Sequence, residues 1–285
     1  MILIEPIGGL ASQLHKYFTA LALAKRLNTE VKFYLAPNRE LKDRALELDK
    51  FNIDIKYANR LEIFYFTRIQ KKINRIKRNL ALSNKTHRFK KLMTYEYFKD
   101  VKDNTFISDE WIMGDIYFCD IYDEVKEKFI LKDEMSQEAK IYKELIMQND
   151  KSISIHFRRG DYLKSDCSEF HGNLSLEYYK KAVKLILEKT KNGVLFIFSD
   201  DIEWVKENFK TGLESHYINI STHEDIVLMS MCKHNIIANS GYSWFASYFN
   251  ENKNKIVIAP NQWVVDKEIS DKIFEYIDTS KWIQI

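Results

Sequence analysis

From residue 151 onward the chain repeats one pattern: a short apolar run, a polar turn, then a stretch of helical spacing. Apolar runs fall at 153–157, 194–199, 217–220, 235–238 and 255–259, and helical patterns at 176–190, 201–208, 224–232 and 243–250. Such alternation predicts parallel strands joined by helical crossovers, a Rossmann-like sheet. The N-terminus carries the seed of a second one. A strand at 1–4 leads into the turn Pro6-Ile7-Gly8-Gly9. Leu10, Leu14, Tyr17, Phe18, Leu21 and Ala24 then share a helical face before a strand at 31–35. The expected fold class is α/β, with two facing Rossmann-like domains, 1–150 and 151–285, and a cleft between them. The polar stretch at 148–151 marks the boundary, and ligands are expected at the carboxyl ends of strands.

Composition narrows the partners. The 285 residues carry a formal net charge of +3, too small to imply a polyanion. Cys119, Cys167 and Cys232 are far apart and show neither zinc spacing nor a disulfide framework, which predicts a reducing cytoplasm. The N-terminus lacks a signal-peptide pattern, and no apolar run is long enough for a membrane span. Charge is unevenly spread, however. No acidic residue lies between Glu62 and Glu96, while Arg68, Lys71, Lys72, Arg75, Lys77, Arg78, Lys85, Arg88, Lys90 and Lys91 crowd together. Ile69, Ile73, Ile76 and Leu80 recur there at helical spacing, a basic amphipathic insert. It reads either as a core-packed helix with a solvated basic face or as a peripheral contact of 68–91 with an anionic inner membrane. Without aromatic interleaving or a nucleic-acid signature, a nucleic-acid partner is not expected.

Chemistry-bearing residues cluster at strand ends. The run at 153–157 passes directly into Arg158-Arg159-Gly160-Asp161. Guanidinium groups fixed at a strand end match phosphate oxygens and stay charged at physiological pH. The run at 194–199 ends in Asp200 and Asp201, suited either to a ribose or base edge or to capping the next helix. The run at 235–238 gives way to Asn239-Ser240-Gly241-Tyr242-Ser243, a phosphate cradle or an ordinary cap at a helix starting near Ser243. In the first half, Gly8-Gly9-Leu10-Ala11-Ser12-Gln13 opens a glycine turn. No G-x-G-x-x-G, P-loop or Asp-x-Asp pattern occurs, which argues against dinucleotide cofactors, ATP hydrolysis and a carboxylate-held divalent ion.

Four motifs then occur in order. They are His156-Phe157-Arg158-Arg159-Gly160-Asp161-Tyr162; His171-Gly172 with Tyr178-Tyr179; Phe198-Ser199-Asp200-Asp201; and the stretch from Asp225 to Trp244 with Leu228-Met229-Ser230, Cys232-Lys233-His234 and Asn239-Ser240. In these the chain resembles the bacterial α-1,2-fucosyltransferases, glycosyltransferase family 11. The resemblance implies a GT-B fold, a GDP-β-L-fucose co-substrate, no metal or other cofactor, and inverting transfer to a glycan acceptor, typically galactose O2. It implies an acceptor-side domain at 1–150 and a GDP-sugar domain at 151–285, whose last helix packs back on the first. By position, Arg158 would hold the β-phosphate, supported by Arg159. His156 and one of Asp200 or Asp201 would hold guanine. Ser240 and Ser243 would donate to the phosphates, and Asn239, Gly9, Ser12 and Gln13 would complete the GDP-fucose site. Asp161, Asp166 and Asp115 are the carboxylates to weigh as general base, Asp161 serving alternatively to orient an arginine. The chain departs from the family's G-G-L-G-N-Q at Ala11 and Ser12, and from its acceptor-side pattern at 113–118. The expected location is the cytoplasm, peripheral on the inner membrane. The same machinery with another GDP-deoxyhexose or linkage, and a catalytically silent sugar-nucleotide or polyanion binder, are the alternatives.

Overall fold

The computed structural model describes residues 1–35, 45–70, 92–102, 104–108, 110–160 and 165–285. The chain divides into two compact units, Met1–Lys132 and Asp133–Ile285.

In the first unit, β1 (Ile2–Ile4) is wholly buried and lies between two parallel neighbours, β2 (Val31–Phe33) and β3 (Thr105–Ile107), in the order β2-β1-β3. Helix α1 (Leu10–Arg26) supplies the crossover from β1 to β2. Gly8, at φ +91°, makes the turn from β1 into it, a conformation that a side chain would strain. Around this sheet lie α2 (Arg60–Phe64), which runs on into a π-helical turn Tyr65–Gln70, then α3 (Tyr95–Asp100) and α4 (Tyr122–Lys128). The last turn of α1 is tied to α3. Arg26 Nη2 donates to the carbonyls of Phe98 and Val101, both at 2.8 Å, and its guanidinium sits 4.9 Å from the Phe98 ring centroid. The strand β3 has too short an apolar run to stand out from the sequence. Of the basic insert, 71–91 lies outside the described residues.

The second unit contains a six-stranded, all-parallel sheet: β4 (Ser152–Phe157), β5 (Val194–Ser199), β6 (Ser215–Ile218), β7 (His234–Ile236), β8 (Val257–Ala259) and β9 (Trp282–Gln284). Its helices are α5 (Gln137–Gln148), α6 (Ser165–His171), α7 (Leu176–Thr190), α8 (Ile202–Asn208), α9 (Thr222–Met231), α10 (Gly241–Tyr248) and α11 (Lys267–Phe274). The strand order is β6-β5-β4-β7-β8-β9. Counted from β4 this is 3-2-1-4-5-6, the doubly wound order whose direction reverses between its first and fourth strands. One face of β4 packs Ile153, Ile155 and Phe157 on Tyr179, Ala182, Val183 and Ile186 of α7, with the Phe157 and Tyr179 rings 3.8 Å apart. The other face carries small polar groups. Ser154 Oγ accepts from Asn235 Nδ2 at 2.7 Å, and Ser152 Oγ accepts from the Lys233 amide at 3.1 Å.

The division between units falls ahead of residues 148–151 because α5 belongs to the second unit. Ser136, its N-cap, donates its backbone N–H (2.6 Å) and its hydroxyl (3.2 Å) to the carboxylate of Glu224 at the start of α9. The strand expected at 217–220 lies at Ser215–Ile218. Beyond it the chain is drawn into the cap of α9, where Asp225 accepts from the Ile220 amide at 3.3 Å. The final strand, β9, is only three residues long, too short to stand out from the sequence, and pairs with β8 in parallel.

Candidate active site

The register of the central strands builds the site. Phe157 pairs with Ser199 across β4 and β5, so the next residues on each side, Arg158 and Asp200, leave the sheet as neighbours. Arg158 Nη1 donates to Asp200 Oδ2 at 2.7 Å. The other carboxylate oxygen accepts from the backbone amides of Arg159 (3.0 Å) and Gly160 (3.1 Å). One carboxylate therefore organises the whole Arg-Arg-Gly turn. Burial pushes the Asp200 carboxyl up, but the Arg158 guanidinium and these two amides outweigh it and hold it below its ordinary value. A Cβ at Gly160 would lie 2.7 Å from Asp200 Oδ2, so any side chain there must displace this carboxylate.

The two arginines are held differently. Arg159 Nε donates to Asp201 Oδ2 at 3.2 Å, and its guanidinium lies 3.2 Å from the centroid of the Trp204 indole. Trp204 sits three residues along α8 from Asp201, so one helical turn grips Arg159 by charge and by its π face. The capping alternative for the two aspartates is not realised: Asp201 occupies the N-cap position of α8 without a side-chain cap bond, and Asp200 is committed to the arginine turn.

His156, the last inward-facing polar residue of β4, is buried and its Nδ1 has no hydrogen-bond partner. Burial, with help from Arg158 and against the pull of Asp200, lowers its pKa to about 3, so the imidazole is neutral at physiological pH. Its ring lies 5.3 Å from that of Tyr242 on α10.

Across the switch point, the chain leaving β7 forms a tight cap. Ser240 is the N-cap of α10 and accepts from the Tyr242 amide at 3.3 Å. Ser243 Oγ accepts from the Ala238 amide at 3.1 Å and donates to the Ser240 carbonyl at 3.4 Å. The helix thus begins at Gly241, ahead of the expected Ser243. Asn239 spends its amide on the carbonyls of His171 (2.8 Å) and Trp263 (3.3 Å), tying two loops together. Tyr178 on α7 donates to the Ile237 carbonyl at 2.6 Å and fixes the base of this loop.

The structure thus brings His156, Arg158, Arg159, Asp200 and Asp201 together at the carboxyl edge of one sheet, with Asn239 and Ser240 in the loop after β7 and Ser243 in the first turn of α10 at the same edge. Gly9, Ser12 and Gln13 belong to the first unit. Gly9 is the N-cap of α1 and Ser12 lies in its first turn. Gln13 is fully buried; its amide donates to the carbonyls of Gly8 and Ala45, both at 2.9 Å, and accepts from the Glu47 amide at 3.0 Å. The first bond braces the glycine turn, and the other two tie α1 to the segment at 45–47. Asp161 lies outside the described residues. Asp115 is buried in the first unit. Among the described residues, no group of three or more His, Cys, Asp or Glu side chains converges as metal ligands. Sequence reasoning missed Trp204, whose signal was its i,i+3 spacing from Asp201.

A family model described as glycosyl transferase family 11 matches residues 1–285. The chain belongs to glycosyltransferase family 11. Two Escherichia coli relatives match along most of this family 11 chain. The O-antigen biosynthesis glycosyltransferase WbnK is 30% identical, covering 90% of this chain and 92% of that protein. An alpha-1,2-colitosyltransferase is 31% identical, covering 98% and 96% respectively. Among solved structures, a variant of Arabidopsis thaliana FUT1 in complex with GDP has a TM-score of 0.51 at 8% identity, covering 94% of this chain and 72% of that one. The fold class is accordingly GT-B-like, with an α/β unit of parallel strands in each half of the family 11 chain.

Proposed function

We propose that this family 11 glycosyltransferase moves L-fucose, or a close deoxy relative, from its GDP ester to a sugar hydroxyl of a surface glycan, with inversion and without a metal ion. The observation that carries the reading is Arg158: a guanidinium held at the carboxyl end of β4, beside the point where the strand order reverses. A leaving diphosphate gains negative charge as the glycosidic bond breaks. A preset cation there stabilises the transition state more than the ground state. The N-terminus of α10, across the same switch point, adds its positive dipole. His156 offers a neutral, unpaired ring nitrogen to a nucleobase edge. Support for GDP comes also from the FUT1 structure, which holds GDP, and support for an O-antigen acceptor from WbnK.

Fucose with galactose O2 as acceptor is the first reading, from the four motifs. Colitose is the second, favoured by the 31% identical colitosyltransferase. Colitose lacks the 3-hydroxyl of fucose, so the two donors differ by one polar group. Parallel turnover of GDP-fucose and GDP-colitose with galactoside acceptors, read by mass spectrometry with and without a chelator, decides sugar and metal dependence together. Arg158→Ala is expected to abolish transfer. Equal turnover by wild type and Arg158→Ala would refute the proposal.

A further inference from the structure

Helix α2 and the π-helical turn that continues it form one short rod with two apolar sides. Phe66 faces inward, 2% exposed, and packs with Leu3 and Phe106 of the first sheet. The other side is left in water: Leu61 is 81% exposed and Phe64 60%, with Tyr65 at 40% and the preceding Tyr57 at 57%. Leu61, Phe64 and Tyr65 stand at i, i+3 and i+4 and so share one surface. Single exposed apolar residues are ordinary, but three on one helical surface form a patch, with exposed Tyr57 close to it in sequence.

Within 60–70 the exposed charge has one sign. Glu62 is the sole carboxylate in 60–70, and it is turned away: its oxygens take Lys32 Nζ at 2.6 Å and the Asn59 amide at 2.8 Å, which lowers its pKa. Arg60 and Arg68 are exposed at the two ends of the rod, and neither has an ion pair among the described residues. The sequence then continues without an acid to Glu96 while adding nine further Lys and Arg residues from Lys71 to Lys91. A second copy of this chain would bring the same cations to the patch and be repelled. A bilayer rich in anionic phospholipid meets both requirements, offering phosphates to the cations and an acyl boundary to the side chains.

We propose that Tyr57, Leu61, Phe64 and Tyr65 form an interfacial foot that seats the N-terminal unit on an anionic phospholipid surface, flanked by Arg60 and Arg68. The foot rests on the surface chemistry of the first unit alone and is independent of which sugar is transferred. The full chain should sediment with phosphatidylcholine vesicles containing phosphatidylglycerol and not with phosphatidylcholine alone. Leu61→Ser/Phe64→Ser should lower vesicle binding about tenfold or more, with thermal unfolding unchanged, because those two side chains supply most of the insertable apolar area. In a Phe64→Trp variant, the emission should shift to the blue on vesicles and be quenched by brominated acyl chains. Vesicle binding by the double variant equal to wild type would overturn the proposal. So would a Phe64→Trp emission indifferent to brominated lipid, or self-association of the wild type that the double variant abolishes.

Discussion

Replacing Gly160 by alanine tests whether the arginine turn is built on Asp200. The added Cβ would stand 2.7 Å from Asp200 Oδ2 and 3.0 Å from Cγ, whereas ordinary contact begins near 3.4 Å. The carboxylate must therefore retreat by roughly 0.7 Å, the difference between those distances. Its bonds to the amides of Arg159 and Gly160, at 3.0 and 3.1 Å, would then pass beyond useful hydrogen-bond length. Bonds to a charged group contribute about 1.5–3 kcal/mol each when buried. The Asp200 side chain is 28% exposed, so about 2 kcal/mol for the whole cluster is the discounted figure. In an Asp200→Ala background the clashing atoms are gone, and the remaining Asp200 Cβ lies at an ordinary 3.6 Å. Gly160→Ala should then cost only a few tenths of a kcal/mol, giving a coupling near 2 kcal/mol in a double-mutant cycle. Denaturant midpoints measure the stability arm. Initial rates of donor turnover measure the other, where displacing Arg158 by about 1 Å should lower kcat roughly 100-fold. Additive effects within about 0.5 kcal/mol would show that the two positions do not act as one unit.

Other consequences are more local. Trp204→Leu removes the π face under Arg159 but leaves Asp201, so donor KM should rise several-fold, with Trp204→Phe restoring most of it. Tyr178→Phe deletes the bond to the Ile237 carbonyl and should cost about 1 kcal/mol by thermal unfolding, because that carbonyl loses a donor near the switch point. Stability should also depend on pH in opposing ways. His15 and His156 both have folded pKa values near 3, lowered by burial, so the unfolded chain binds more protons between about 3 and 6.5 and stability falls as pH drops through that window. Asp225, raised by burial to about 7, has the reverse sign: its folded form keeps a proton that the unfolded form loses, so its contribution disappears as pH rises from about 4 to 7. Relative to wild type, Asp225→Asn should therefore gain on the order of 2 kcal/mol between pH 5 and 8, and a flat difference would refute the buried-acid account.

Much of the second unit was legible because its strands are buried on both faces. Stretches such as Val194–Ser199 are then nearly continuous apolar runs, and each ends at a polar turn at the carboxyl edge of the sheet. The Arg158–Asp201 cluster was legible for the same reason: its members are the first residues beyond those runs. What stayed hidden depends on partners distant in sequence. β3 and β9 have three residues each and exist because β1 and β8 offer open edges. The division between units falls ahead of 148–151: polar sequence there looks like a linker, whereas half-buried bonds from Ser136 to Glu224 tie the start of α5 to α9. Side-chain commitment was invisible as well. Gln13 and Asn239 are expected, from the resemblance, in the GDP-sugar site; in the structure each donates its amide to backbone carbonyls.

The two arginines are held differently, and under the proposed function the difference bears on donor binding. Arg159 is gripped on two sides, by Asp201 and by Trp204, and acts as a wall. Arg158 is held by a carboxylate whose other oxygen is already anchored to the backbone. Under the proposed function, an incoming diphosphate competes with Asp200 for that guanidinium. The exchange lowers ground-state affinity, since one anion replaces another, but Arg158 need not be ordered afresh when the donor arrives. The benefit therefore falls on the step in which negative charge grows at the diphosphate, where a cation already in place requires no reorganisation. An isolated, solvent-directed arginine would favour the opposite balance: tighter nucleotide binding with less gain at the transition state.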